Sequence, residues 1–270
     1  MTDIVEIEKS LIKKYRKKLW GPFVRALKEF ELINEGDKVG VAISGGKDSL
    51  ILAKLIEELH RHSSIKFDVE YLCMDPGYDK ENLELLKHNL SYLKIPAGIY
   101  DSTVFHVSEK LADGGNPCYM CARMRRGFLY AKAKELGCNK LALGHHLNDV
   151  IETILMNVLY AGNFKTMKPK LAAQNFDDMF LIRPLYYIRE EDIISWRDFA
   201  DLHALDCACT VTKSTKSHTR ENVKNLIADL RKTVPNVEMS ILRSAENVNC
   251  DMVIGYQLDG KKHSFMEEFK

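Results

Sequence analysis

No charge of one sign dominates this chain: 39 Lys plus Arg stand against 38 Asp plus Glu, a formal net charge of +1. A balanced total leaves room for a basic face, so it excludes no class of partner by itself. No apolar run approaches the roughly 18–20 residues needed to span a bilayer. The N-terminal MTDIVEIEKSLIKKYRKK has no uncharged apolar stretch of the kind that forms a signal peptide. These two absences predict a cytoplasmic protein without a membrane partner. Low-complexity tracts and internal repeats are missing as well, and with 46% hydrophobic residues the composition excludes wholesale disorder. The seven cysteines are an odd number in a chain expected to stay reduced. That argues against a disulfide framework and directs clustered thiols toward metal or redox chemistry.

What is present reads as alternating strands and helices. Residues 4–32 predict one amphipathic helix, with Ile7, Leu11, Tyr15, Leu19, Phe23 and Leu27 every four residues on one face. Lys13, Lys14, Arg16, Lys17 and Lys18 crowd its other sides. KVGVAI (38–43), FDVEYLCM (67–74), AGIYD (97–101) and KLALG (140–144) predict strands. Between them run helical patterns through Leu50–Ile56 and Leu83–Leu93, and over about 121–136, and another follows at 149–160. Alternation of this kind implies an α/β domain with a Rossmann-like parallel sheet and helices on both faces. Beyond Gly162, MKPKLAA and MFLIRPL predict a hairpin, followed by helices over 189–203, 219–231 and 237–248. The division expected is an N-terminal basic helix (1–34), an α/β domain (35–215) and a helical C-terminal tail (216–270).

The first strand, ending in Ala42 and Ile43, runs straight into Ser44-Gly45-Gly46-Lys47-Asp48-Ser49, where a helix begins. Glycines let backbone N–H groups approach phosphate oxygens without an intervening Cβ, and the helix N-terminus adds the positive end of its dipole. Ser44 and Ser49 offer hydroxyls, Lys47 a cation, and Asp48 a carboxylate for a divalent ion. The spacing is neither GxxxxGK[ST], which would require Gly at Val41 and Ser or Thr at Asp48, nor the dinucleotide GxGxxG.

SGGKDS after an apolar strand resembles the phosphate loop of the N-type ATP pyrophosphatase (PP-loop) superfamily, whose members cleave ATP between its α- and β-phosphates. Gly144-His145-His146-Leu147-Asn148-Asp149-Val150-Ile151-Glu152-Thr153 resembles that superfamily's GHxxDDxxET signature. Asn148 replaces the first of the paired acids, which leaves Asp149 as the catalytic or magnesium-linked carboxylate. The N-cap of its helix is the alternative role for Asp149, compatible with the first.

Cys118-Tyr119-Met120-Cys121 lies at a helix start, with Arg123, Arg125 and Arg126 just beyond. Two thiols three apart can ligate one metal, and nearby arginines favour the thiolate. No second CxxC completes a four-cysteine zinc site; Cys207 and Cys209 lie in a later loop. Cys73, Cys138 and Cys250 sit on or beside apolar runs and read as small buried hydrophobes.

The ordered set of phosphate loop, CxxC with Arg-Arg-Gly, GHxxxDxxET, MxPK…IRPL and a late cysteine resembles the tRNA 2-thiocytidine synthetase family over about residues 15–250. The resemblance implies a 4Fe-4S cluster held by three cysteines with one iron left open, the ligands being Cys118, Cys121 and Cys207. Because the family's late motif is commonly CxxC and this chain has Cys207-Ala-Cys209, Cys209 is the alternate third ligand. It implies ATP with Mg2+ on residues 42–49, Gly144 and Asp149, and adenine or ribose near the backbone of Met74 or Asp75. Asp149, Arg125 and Lys47 are then the catalytic set. A cytidine O2 would be adenylated, and sulfide would displace AMP.

The implied partners are tRNA and a sulfur donor, either free sulfide or a cysteine desulfurase, with a homodimer as an admissible assembly. RNA phosphates would meet residues 13–18, the three arginines after Cys121, Lys165, Lys168, Lys170, Lys213, Lys216 and Arg220. The competing expectations are a PP-loop enzyme acting on another tRNA base or a small molecule, and a zinc-stabilised RNA- or nucleotide-binding module without turnover.

Overall fold

The computed structural model describes residues 2–102, 117–205 and 218–269. Contacts divide the chain into one unit of Met1–Val150 with Lys168–His218, and a second of Ile151–Met167 with Thr219–Lys270.

In the first unit six strands form one sheet: β1 Lys38–Ile43, β2 Asp68–Asp75, β3 Gly98–Asp101, β4 Lys140–Ala142, β5 Lys170–Ala172 and β6 Phe180–Ile182. Their order is β3-β2-β1-β4-β6-β5, and every pairing is parallel except β5 with β6. Five of the six β1 residues are buried, as expected of a central strand covered on both faces. The predicted hairpin is thus not a separate motif. β6 pairs in parallel with β4, Ala142 opposite Ile182, so the hairpin extends the sheet. From β1 the chain fills one side through β2 and β3, then crosses back to β4 on the other. The order therefore reverses between β1 and β4, and in open α/β sheets ligands bind beside the carboxyl ends of the strands at such a switch point.

Helices α3 (Lys47–His62), α4 (Lys80–Tyr92) and α5 (Pro117–Glu135) connect these strands. A cluster of Leu72, Ala133, Cys138, Leu141, Leu143 and Leu181 packs α5 onto the sheet.

The N-terminal segment departs from the single helix predicted. It forms α1 (Ile4–Ile12), a π-helical turn (Arg16–Trp20) and α2 (Gly21–Glu29). The reason lies in the spacing itself. Each four-residue step overshoots a 3.6-residue turn by roughly 40°, about 200° over the five steps from Ile7 to Leu27. A regular α-helix would carry that stripe round to solvent. Wide turns closed by Tyr15 N–H to Ser10 O (2.8 Å) and Gly21 N–H to Arg16 O remove the drift. All six apolar residues of the stripe end up buried.

Helix α6 (Leu147–Ala161) begins in the first unit, and α7 (Glu190–Phe199) belongs to it entirely. The second unit carries α8 (His218–Thr233) and α9 (Val237–Glu246), as the periodicity predicts. The expected helical tail is corrected beyond them, where β7 (Gly255–Leu258) and β8 (Lys261–Ser264) form a hairpin. Its two turn residues, Asp259 (φ 49°) and Gly260 (φ 77°), both take positive φ, the backbone an Asp-Gly hairpin turn requires. Cys250 is exposed, unlike the buried Cys73 and Cys138. Among the described residues no helix is long and apolar enough to cross a membrane.

Candidate active site

The 44–49 loop leaves the carboxyl end of β1 at the switch point. Gly45 has φ 79°, a conformation that favours glycine, and a Cβ there would fall 2.5 Å from Leu205 Cδ1 and displace that side chain. The Leu205 N–H donates to Gly45 O at 3.0 Å. Ser49 Oγ closes the loop from within: it donates to Gly46 O (2.8 Å) and accepts from Ser44 N–H (3.1 Å). Tyr78 Oη donates to Ser44 O at 3.1 Å. With its carbonyls engaged in this way, the turn leads into the N-terminus of α3, a ready anion site.

The neighbouring strand end fits against that helix. A Cβ on Gly144 would lie 3.0 Å from both C and O of Asp48 and 3.1 Å from Ser49 N. A side chain there would press on the backbone of α3 and force it to give by a few tenths of an ångström. The next turn presents buried His146, whose Nε2 lies 3.7 Å from Asp48 Oδ1 and whose Nδ1 lies 3.5 Å from Asp149 Oδ2. Asp149 sits in the first turn of α6, and its Oδ2 accepts from His146 N–H at 3.0 Å. Asp149 is thus not the N-cap itself: with the helix starting at Leu147 it is the third helical residue and makes the return half of a capping box to His146, while also standing at the site. Asn148 Oδ1 accepts from Glu190 N–H at 2.9 Å and thereby fixes the start of α7 beside the loop.

Charge is concentrated here. Lys47 Nζ lies 3.0 Å from Glu190 Oε1 and 3.2 Å from Asp48 Oδ2. Burial works against its charge, yet Asp48 and Glu190 hold its pKa above the ordinary lysine value. Burial raises the pKa of Asp48, and nearby Asp149 adds to this against the pull of His146 and Lys47. Asp48 Oδ1 is buried and accepts no hydrogen bond, which leaves it able to ligate a hard cation. Among the described residues no three His, Cys, Asp or Glu side chains are grouped to hold a metal ion. A single carboxylate beside a phosphate loop is the kind of protein ligand that suits magnesium.

The sequence-predicted positions thus fall into groups. Residues 44–49, Gly144 and Asp149 meet at the switch point. Ala42 and Ile43 are buried in β1, Ala42 within the core, so they can offer a ligand only backbone. Met74 is buried near the end of the adjacent β2. Arg125 is half-buried on α5 in the same unit. Cys118 and Cys121 occupy the first turns of α5, and positions 118, 121 and 125 share one helix face. Cys207 and Cys209 lie outside the described residues, as do Lys213 and Lys216. Burial raises the thiol pKa of Cys73 to about 12 and of Cys138 to about 11, so neither supplies a thiolate.

Several of the expected RNA-facing cations are engaged within the protein: Lys18 with Asp192 (3.0 Å), Lys14 over the Phe199 ring (3.9 Å), Lys170 with Glu31 O (2.8 Å) and Arg220 with buried Glu152 (2.6 Å). His146, Glu190, Tyr78 and Leu205 are the site residues that sequence reasoning missed. The first adjoins His145 in the GH motif; the others carry no local signal.

The PP-loop domain family matches residues 19–229, a span that includes every element of this site. A tRNA-cytidine(32) 2-sulfurtransferase from Pelobacter propionicus is 37% identical over 87% of this chain and 87% of its own. One from Geobacter metallireducens is 38% identical over 87% and 91%. The chain belongs to the PP-loop tRNA-cytidine 2-sulfurtransferase family. The U34-tRNA thiolase NcsA of Methanococcus maripaludis, a structure with a [4Fe-4S] cluster, shares the fold at TM-score 0.67 with 22% identity, over 84% of this chain and 76% of that one. In this sulfurtransferase-family chain Asn148 supplies a neutral acceptor oxygen to the first N–H of α7.

Proposed function

We propose that this protein uses ATP to activate the O2 oxygen of cytidine 32 in tRNA and then replaces that oxygen with sulfur. The observation that carries the reading is the meeting, at one switch point, of a glycine cradle, Lys47, Asp48 and Asp149, in a chain whose relatives bear that activity in their names.

The amides of the 44–49 loop and the N-terminus of α3 receive the β- and γ-phosphates, with Lys47 shifting from Glu190 and Asp48 onto phosphate oxygen. A magnesium ion on Asp48 Oδ1 would neutralise charge on the departing pyrophosphate. The cytidine O2 attacks the α-phosphorus, the bond between the α-phosphorus and the bridging oxygen breaks, and pyrophosphate leaves. AMP, now bonded to O2, is a good leaving group at C2; sulfide adds to C2 and AMP departs with the former O2. Arg125 and Lys47 stabilise the phosphate charge that develops.

The donor set suits a 4Fe-4S cluster: three thiolates, from Cys118, Cys121 and Cys207 with Cys209 as alternate, leave one iron position open. When bound, such a cluster supplies a soft Lewis acid for sulfide. Leu205, two residues before Cys207, is fastened to Gly45, which supports bringing the late cysteine to the phosphate loop. Free sulfide or a cysteine desulfurase as donor, a homodimer as the assembly and the cytoplasm as the compartment belong to the same proposal. Cys118→Ala is expected to abolish the cluster's visible absorption and tRNA thiolation while ATP binding survives. Thiolation at the wild-type rate in that variant overturns the cluster role.

A further inference from the structure

The IRPL motif, outside the functional reading so far, contains Arg183, the residue that follows β6 at the carboxyl edge of the sheet. Its neighbour Ile182 is level with Ala142 at the end of β4, and Leu143 N–H donates to Ile182 O at 3.0 Å. Arg183 therefore stands one strand away from Gly144 and the turn that carries Asp149. Alternation along β6 puts it on the same face as Leu181, toward α5.

The side chain is only 5% exposed. Of its five N–H groups, one nitrogen, Nη1, donates to Lys168 O, while Nε is buried with no hydrogen bond. No carboxylate lies within ion-pair distance of it among the described residues. Arg126 adds a like charge nearby; Tyr130, Tyr186 and Asp149 are the acidic groups that feel it. Burial drives its pKa down to about 10, the sign of a cation enclosed without adequate compensation. A buried guanidinium is ordinarily paired, because desolvating an uncompensated charge is costly. A planar fork with free donors is also the group best shaped for phosphate.

We propose that Arg183 is a phosphate-binding residue of the nucleotide site and takes the α-phosphate of ATP, later that of AMP. Its enclosure favours a small-molecule phosphate over the RNA backbone, which docks on exposed cations. The inference rests on the ATP-dependent reading above, but its test needs no thiolation.

Arg183→Met keeps the volume and removes the charge. The expected result is an apo melting temperature equal to or above that of the wild type, together with an ATP Kd, measured with Mg2+ and no tRNA, raised about 10–100-fold. tRNA affinity by filter binding should stay unchanged. Arg183→Lys, which keeps a cation but loses the fork, should weaken ATP by a smaller factor and serves if the methionine variant does not fold. Three results overturn the proposal: wild-type ATP affinity in the variants, a large fall in the apo melting temperature with ATP affinity retained, or a loss confined to tRNA affinity. A wild-type protein that binds ATP but thiolates nothing would refute the functional reading and leave Arg183 to be decided by the ATP titration.

Discussion

The two ends of the parallel sheet treat buried charge in opposite ways. At the amino edge Asp37 and Lys140 pair at 2.5 Å, and Asp37 also accepts from Asn139 Nδ2 (2.8 Å) and Asn34 N–H (2.5 Å). At the carboxyl edge Asp48 Oδ1 and Arg183 Nε are buried without a hydrogen bond. The first end is closed chemically and ties β1 to β4. The second carries polar atoms whose desolvation is left uncompensated in the protein alone. Buried polar groups are nearly always satisfied. Lys140 Nζ at the amino end makes no well-formed hydrogen bond but lies against Asp37, whereas Arg183 has no carboxylate beside it among the described residues, and such a group at the ligand-binding edge marks where a ligand completes the structure. A surface depression of about 380 Å³ lies at the amino end, lined by Asp37, His60, Lys66 and Phe67 among others, but its acid is already spoken for.

The sharpest way to break this contrast is Lys140→Ala. It strands Asp37 and should lower stability by about 3–5 kcal/mol in urea unfolding, with ATP affinity unchanged in the protein that remains folded. The acid response follows from the same pair. Burial opposes the charge of Asp37, but hydrogen bonds from Lys140, Asn34 and Asn139 hold its pKa below the ordinary carboxylate value. Its contribution is therefore present above about pH 4 and lost as pH falls further. Asp37→Asn should flatten the decline of the urea midpoint over that window.

Asp48→Asn tests the other end. It should cut kcat/KM by about 10²–10³-fold without loss of neutral-pH stability. The carboxylate's raised pKa means that folding already disfavours its charge as pH rises. A fall in stability as large as that of Lys140→Ala would erase the contrast. Gly144→Ala should have a smaller effect than Asp48→Asn, about 10–100-fold in kcat/KM, by pushing the end of β4 off the backbone of Asp48 and Ser49.

Much of this was legible in the sequence because it is local. A β-rich run, a glycine turn and a helix start are contiguous in residues 38–49, and the sheet follows from their repetition. The features that escaped are assembled from afar. Glu190 reaches Lys47 from a helix more than a hundred residues away, and Leu205 covers Gly45 from a loop without any motif. The break in the N-terminal helix was present in the four-residue spacing but reads as amphipathicity unless the angular drift is summed. The C-terminal hairpin was hidden because GYQL and KKHS are exposed, polar-rich strands that show no apolar alternation.

The Leu205–Gly45 hydrogen bond has a thermodynamic consequence. A phosphate loop free to rearrange would lose conformational entropy each time a nucleotide arrived, and affinity would suffer by that amount. Here the peptide unit is restrained by a strand of chain from elsewhere in the fold, so the ordering is completed once, when the protein folds. ATP meets a receptor already set, held by a hydrogen bond between two parts of the chain 160 residues apart.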